Sequence, residues 1–259
     1  MPRASTILWP LAIVLVLLGL WEVAAQWDWL ADLLGIEPFL VPAPSDIAQS
    51  LWEDRDLLAD NAWVTLREVV LGLAIAIVAG FAFAIVMHLS GALRRATYPL
   101  LVASQTIPVI AIAPILIVWF GYGIGPKLAI IALVCFFPVT VNTLDGLRSV
   151  DGEQVKMMRT LDADRGQILR RVEVPTAVPY LLSGAKIAAA VAVIGAVFGE
   201  WTGSESGLGH LILTSQGQLQ TARVFAAVVV LSAIAIALFG LIALVERRWA
   251  WWGPGGAAG

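Results

Sequence analysis

Few side chains in this chain are of the types that do chemistry, and those few do not converge. His88 and His210 lie far apart, with no cysteine or carboxylate cluster beside either, so the spacing does not suit a metal site. The single cysteine, Cys135, sits inside an apolar run, where a thiol is most often a small core hydrophobe. No Gly-x-x-x-x-Gly-Lys-Ser/Thr phosphate loop occurs, so any nucleotide is expected on another chain. What stands out instead is polarity in the wrong solvent. Ser104, Gln105 and Thr106, with Pro108 and Pro114, interrupt one apolar run, Glu200 ends another, and Lys186 lies two turns inside it. Such residues suit a path or a fastening rather than bond-making. The remaining candidate is a charged island at 148–179, RSVDGEQVKMMRTLDADRGQILRRVEVPTAVP, whose chemistry would be that of a docking surface.

The elements that carry these residues follow from composition. The 259 residues are 59% hydrophobic and 14% charged, with mean hydropathy +0.87. Soluble domains hold about 25% charged residues. Apolar runs of about 20 residues recur, each long enough to cross a hydrocarbon core as a helix, whereas a barrel would need alternating strands of about 10. The chain therefore reads as an all-α, polytopic membrane protein with six spans, near 7–25, 64–87, 100–120, 128–144, 180–200 and 224–245. The first is too long and too poorly ended for a cleaved signal peptide and is expected to be retained. The fourth is short and holds Pro138, which predicts a kink or tilt. Between the first two spans lies a long acidic segment with a short helix starting near Ile47, after the turn at Pro42–Asp46. Trp27, Trp29, Trp52 and Trp63 fit an interfacial belt or ordinary packing equally well.

Basic residues set the orientation. With the N-terminus inside, Arg3, Arg94, Arg95, Arg148, the loop bases and Arg247–Arg248, together with Lys186, make twelve on the cytoplasmic side. Arg55, Arg67, Lys127 and Arg223 make four outside. That bias predicts cytoplasmic N- and C-termini. The organisation expected is a first span plus external acidic segment (1–63), a core (64–246) with a cytoplasmic loop at 146–179, and a cytoplasmic tail (247–259).

Within the island, strong helix formers run from Glu153 to Arg165, with Asp151 as N-cap and Gln154 placed for a capping box. Val155, Met158 and Leu161 share a face, with Lys156, Arg159 and Asp164 opposite. A second helical stretch is expected at 167–172, stopping before Pro175. A short helix with an apolar edge suits a groove on another protein, or it packs on the ends of its own spans.

This island resembles the cytoplasmic signature of ABC importer permeases: Glu-Ala-Ala, three residues, Gly, nine residues, Ile-x-Leu-Pro. Lys156-Met157-Met158 stands at Glu-Ala-Ala, Asp162 at the Gly, and Val172-x-Val174-Pro175 at the end, without a gap. Lys for Glu, Met-Met for Ala-Ala and Asp for Gly are departures. The likeness continues through Arg159-Thr160-Leu161-x-Ala163, Pro42-x-Pro44-Ser45, Ile107-Pro108-x-x-Ala111-x-x-Pro114, Ile194-Gly-Ala-Val-x-Gly-Glu200-Trp201 and Gly207-Leu-Gly209. These are similar to permeases of the nitrate, sulfonate, taurine and thiamine-precursor branch. Gly199-Glu200-Trp201, 218–221 and Val224-Phe225-Ala226-Ala227 resemble most those for hydroxymethylpyrimidine-type precursors.

The resemblance implies a type I importer permease fold in the inner (plasma) membrane and a non-catalytic role. It implies a partner ATPase carrying ATP and magnesium, an extracytoplasmic solute-binding protein and a second permease copy. Nucleic acid is not among the partners. The ATPase-coupling residues would be Lys156, Met157, Met158, Arg159, Thr160, Leu161, Asp162, Ala163 and Arg165. The substrate path is expected to include Ser104, Gln105, Thr106, Pro108 and Glu200, because polar groups in lipid are costly unless they face protein or water. Interhelical bonding is the other reading of residues 104–106. Glu200 could equally reach interfacial water and pair with Arg223. An ion-driven transporter would want buried acids or histidines mid-span, and the span centres are nearly free of them; an intramembrane enzyme would need a convergent nucleophile and base, and none converge.

Overall fold

The computed structural model describes residues 4–27, 29–35 and 37–249, and every regular element among them is helical. In chain order these are α1 (Ala4–Gln26), α2 (Trp29–Leu34), a 3-10 turn at Pro38–Leu40, α3 (Pro44–Glu53), α4 (Arg55–Leu89), α5 (Gly91–Ser104) and α6 (Val109–Phe120). They continue with α7 (Ile124–Arg148), α8 (Gly152–Thr160), α9 (Arg165–Ile168), a π turn at Leu169–Glu173, α10 (Val174–Gly203), α11 (Leu208–Gly217) and α12 (Thr221–Trp249). Arg3 and the tail at 250–259 lie outside the described residues. Helices dominate for a physical reason: in lipid each backbone N–H and C=O must find its partner within the segment.

Four helices among the described residues are long and apolar enough to cross a membrane: α4, α7, the continuous 165–203 rod and α12. In α1, Ala12–Gln26 is a shorter apolar stretch. The expected third span is not one rod. α5 and α6 meet at 104°, at a break over 105–108. Pro108 has no N–H to continue the helix. Around it, the Ser104 and Thr106 hydroxyls donate to the carbonyls of Leu101 (2.7 Å) and Ala103 (2.8 Å). α7 is longer than the expected fourth span and runs through Pro138 to Arg148.

The second helical stretch of the island does not stop before Pro175. α9, the π turn and α10 form one continuous rod. In the π turn the Val174 N–H reaches back five residues to the Leu169 carbonyl. That wider register lets the chain enter α10 with Pro175 in its first turn, where a proline is tolerated. α3 also starts earlier than Ile47: Pro44 is its first residue, and the Asp46 carboxylate reaches back to the Ala43 N–H at 3.0 Å.

The heart of the bundle is α4, α7 and α10. Between lipid-facing helices, association rests on close packing of small residues rather than on the hydrophobic effect. A Cβ at Gly72 would lie 2.6 Å from the Ile131 side chain, and one at Gly184 2.7 Å from the Pro138 carbonyl. One at Gly195 would lie 2.9 Å from Val134. Ala188, Ala189 and Ala192 are fully buried along the same seam. The small face of the fifth span is thus spent inside the chain.

Candidate functional site

α8 stands clear of this bundle. Asp151 caps it, accepting the Glu153 N–H at 2.9 Å, and none of its residues is buried. Its far end closes by a Schellman motif: Asp162 N–H donates to the Arg159 carbonyl and Ala163 N–H to the Met158 carbonyl, both at 3.0 Å. Asp162 takes φ +58, the left-handed conformation such a closure requires. The glycine of the signature that this island resembles falls on that residue, where a Cβ is a hindrance.

The coupling candidates do not all face one way. Met157 is 60% and Leu161 70% exposed, so two apolar side chains face outward; Val155 and Met158 are half-buried. Lys156 pairs with Glu153 at 2.9 Å on the surface, and Arg159 and Thr160 are exposed, with the Thr160 hydroxyl on the Met157 carbonyl. Ala163 is half-buried behind the turn. Arg165 turns the other way: its NH1 meets Glu173 Oε1 at 3.1 Å and its NH2 lies 3.2 Å from His88 Nε2.

The path candidates divide as well. Gln105, Thr106 and Pro108 are exposed at the α5–α6 break and Ser104 is half-exposed. The hydroxyls of Ser104 and Thr106 bond their own backbone, not another helix. Glu200 is not brought to that break. It is 1% exposed at the end of α10, where Oε1 accepts the Thr65 hydroxyl at 2.6 Å. Its Oε2 accepts the N–H groups of Gly209 and, at 3.4 Å, His210. These are donors of the first turn of α11, so a carboxylate from α10 fills the anion position at that helix start. Glu200 does not pair with Arg223, which grips Asp54 with two bonds of 2.7 and 2.8 Å.

Residues 202–209 carry the chain from α10 into α11. Ser204–Gly207 is a tight turn and Leu208 already starts a packed helix. Gly207 donates its N–H to Asn61 Oδ1 at 2.7 Å and has φ +110; a Cβ there would collide with the Glu200 carboxylate. Sequence reasoning missed α11, although Leu208, Leu211, Ile212 and Ser215 recur at helical spacing and are all buried. At ten residues it was too short to be sought as a span. Beside it, Lys127 forms a buried ion pair with Glu68 and donates to Ser204 Oγ at 2.9 Å. Lys186 pairs with Glu246 of α12 at 2.5 Å.

The sequence as a whole matches the family of binding-protein-dependent transport system inner membrane components over residues 62–251. It is 39% identical to the formylaminopyrimidine transport permease protein ThiX of Halalkalibacterium halodurans, covering 95% of this chain and 96% of that protein. It is 36% identical to the riboflavin transport system permease protein RibX of Chloroflexus aurantiacus, covering 91% and 88%. The taurine transport system permease protein TauC of Escherichia coli is 29% identical over 95% and 93%. The fold is similar to a chain of the inward-facing MetNI methionine ABC transporter, with TM-score 0.61 and 19% identity over 74% of this chain and 97% of that one.

Proposed function

This chain belongs to the binding-protein-dependent transport system inner membrane components, and from that premise we propose that α8 is the grip by which a separate ATPase drives it. It is a membrane permease subunit of an ABC importer for a small solute. The observation that carries the proposal is the exposure of Met157 and Leu161 on a capped helix with no buried residue of its own. A folded protein keeps such a helix rigid and unburied where a groove on a partner takes its apolar edge. ATP with magnesium would sit on that partner, since no phosphate loop occurs here. Nucleotide-driven closure of the ATPase would then move α8 and switch the bundle between two open states. The base distribution supports placing α8 and both termini on the cytoplasmic side, with α11 outside facing a solute-binding protein. A second copy of the chain would complete the pore.

Of the three relatives named above, the two over 30% identical favour a small heterocycle as substrate, formylaminopyrimidine for one and riboflavin for the other, over the taurine of the third. The exposed Gln105 and half-exposed Ser104 at the α5–α6 break would present neutral hydrogen-bonding groups to it.

The test is copurification. The wild-type chain should bring down an ATPase with a phosphate loop. Leu161→Asp should insert normally yet lose at least tenfold of that association; unchanged association refutes the docking role.

A further inference from the structure

Arg165, Glu173 and His88 form a cluster that the docking surface does not use. Glu173 lies in the π turn and is 4% exposed. Its Oε1 takes Arg165 NH1 at 3.1 Å from α9, and its Oε2 lies 3.0 Å from His88 Nε2, in the last turn of α4. Two bodies, the 165–203 rod and α4, meet on one buried carboxylate. Burying a charge is costly unless it is held from several sides. The surrounding seat is apolar: Ile168 is buried, and Leu169 and Val174 pack with Met87, Leu101, Leu144 and Leu147.

The path from α8 to this cluster has no loose residue. The Schellman closure fixes 161–163. Immediately after it, Asp164 Oδ1 accepts the Gln167 N–H at 2.8 Å while Gln167 Oε1 accepts the Asp164 N–H at 3.1 Å, a reciprocal cap. Beyond the cluster, α4 continues for roughly 35 Å from His88 to Thr65 at about 1.5 Å per residue. Thr65 is the residue that holds Glu200 and the start of α11. The glycine seams bring α4, α7 and α10 into close contact, with no space for a Cβ at Gly72, Gly184 or Gly195.

We infer that Arg165, Glu173 and His88 are the mechanical joint that passes a displacement of α8 to the α4–α7–α10 block. They are positioning residues: they touch neither ATP nor solute. Motion at α8 becomes motion at α11 because both ends of the block are fastened by buried carboxylates, Glu173 at one and Glu200 at the other. The inference rests on the docking role of α8 proposed above.

The test is a distance measurement that needs no substrate. Cys135, the only native cysteine, is fully buried, which leaves spin labels to an engineered pair. Gln154→Cys on α8 and Val86→Cys on α4 are both exposed. In the full chain in lipid nanodiscs, with the ATPase that copurifies, the interspin distance should be narrow and the same with and without ATP–vanadate. Glu173→Gln should broaden it and make it nucleotide-dependent, while the ATPase remains bound. Arg165→Ala, at a half-exposed side chain that leaves no core cavity, should do the same and serves if the Glu173 variant fails to fold. Distributions matching wild type in both variants overturn the joint, and so does loss of ATPase from Arg165→Ala, which would move Arg165 to the docking surface. If no ATPase accompanies even the wild-type chain, the docking role fails instead. The nucleotide-free distributions then still decide the joint.

Discussion

The Thr65 hydroxyl donates to Glu200 Oε1 at 2.6 Å, across the interface of α4 and α10, with both residues buried. The same Thr65 oxygen accepts the Leu208 N–H at 2.8 Å, so two side chains hold the start of α11 from two directions.

Removing either should loosen α11 before it unfolds the bundle. Glu200→Ala leaves buried N–H groups at Gly209 and His210 without their acceptor and should cost about 3 kcal/mol. Thr65→Val, which keeps the shape and loses the hydroxyl, should cost about 1–2 kcal/mol. Thermal unfolding in detergent, paired with amide exchange over 208–217, reads both. Unaltered exchange in Glu200→Ala would show that the cap is not what holds the helix.

Lys127 and Glu68 are 7% and 2% exposed and pair directly. Lys127→Met strands the Glu68 carboxylate and should destabilise by about 3–5 kcal/mol. Adding Glu68→Leu should restore most of the loss, because an apolar pair of similar volume replaces a buried ion pair at little cost. A double variant no better than Lys127→Met would mean that Glu68 has another essential partner.

Asp162 occupies the left-handed position that ends α8. Asp162→Gly relieves a Cβ there and should protect amides 152–163 against exchange, by up to about 1 kcal/mol. Asp162→Val should do the reverse. Since no residue of α8 is fully buried, the effect is local and global melting should scarcely move.

Asp54 lies before α4, and its carboxyl is held below the usual range, chiefly by the hydrogen bond from Arg223, with burial opposing. Its folded-state pKa is the lower one. The contribution is therefore complete above the ordinary carboxylate range and disappears as pH falls through the folded value. The site is partly exposed, so the effect is small, about 1 kcal/mol or less. Loss of the α3–α12 contact on acidification, absent in Asp54→Asn, is the expected signature; a cross-link between engineered cysteines on these helices would report it.

The sequence by itself determined the helical, membrane-embedded class, because runs of about 20 apolar residues have few other folds open to them. It also determined the N-cap at Asp151, which depends on neighbours within one turn, but not the end of α8: strong helix formers run on to Arg165, whereas α8 stops at Thr160 and Arg165 opens α9. It did not reveal the sharp α5–α6 bend, which a periodicity search reads through, or the π turn that carries the chain past Pro175. Nor did it show the use of its own charges. Glu200, Lys127, Glu173 and His88 find partners 8 to 135 positions away, mostly on helices that only packing brings alongside, and residue spacing carries no record of that. Only the tertiary structure decided that Glu200 fastens a helix and that Glu173 draws Arg165 to it, because a buried charge goes where partners converge, and convergence is a property of the packed bundle.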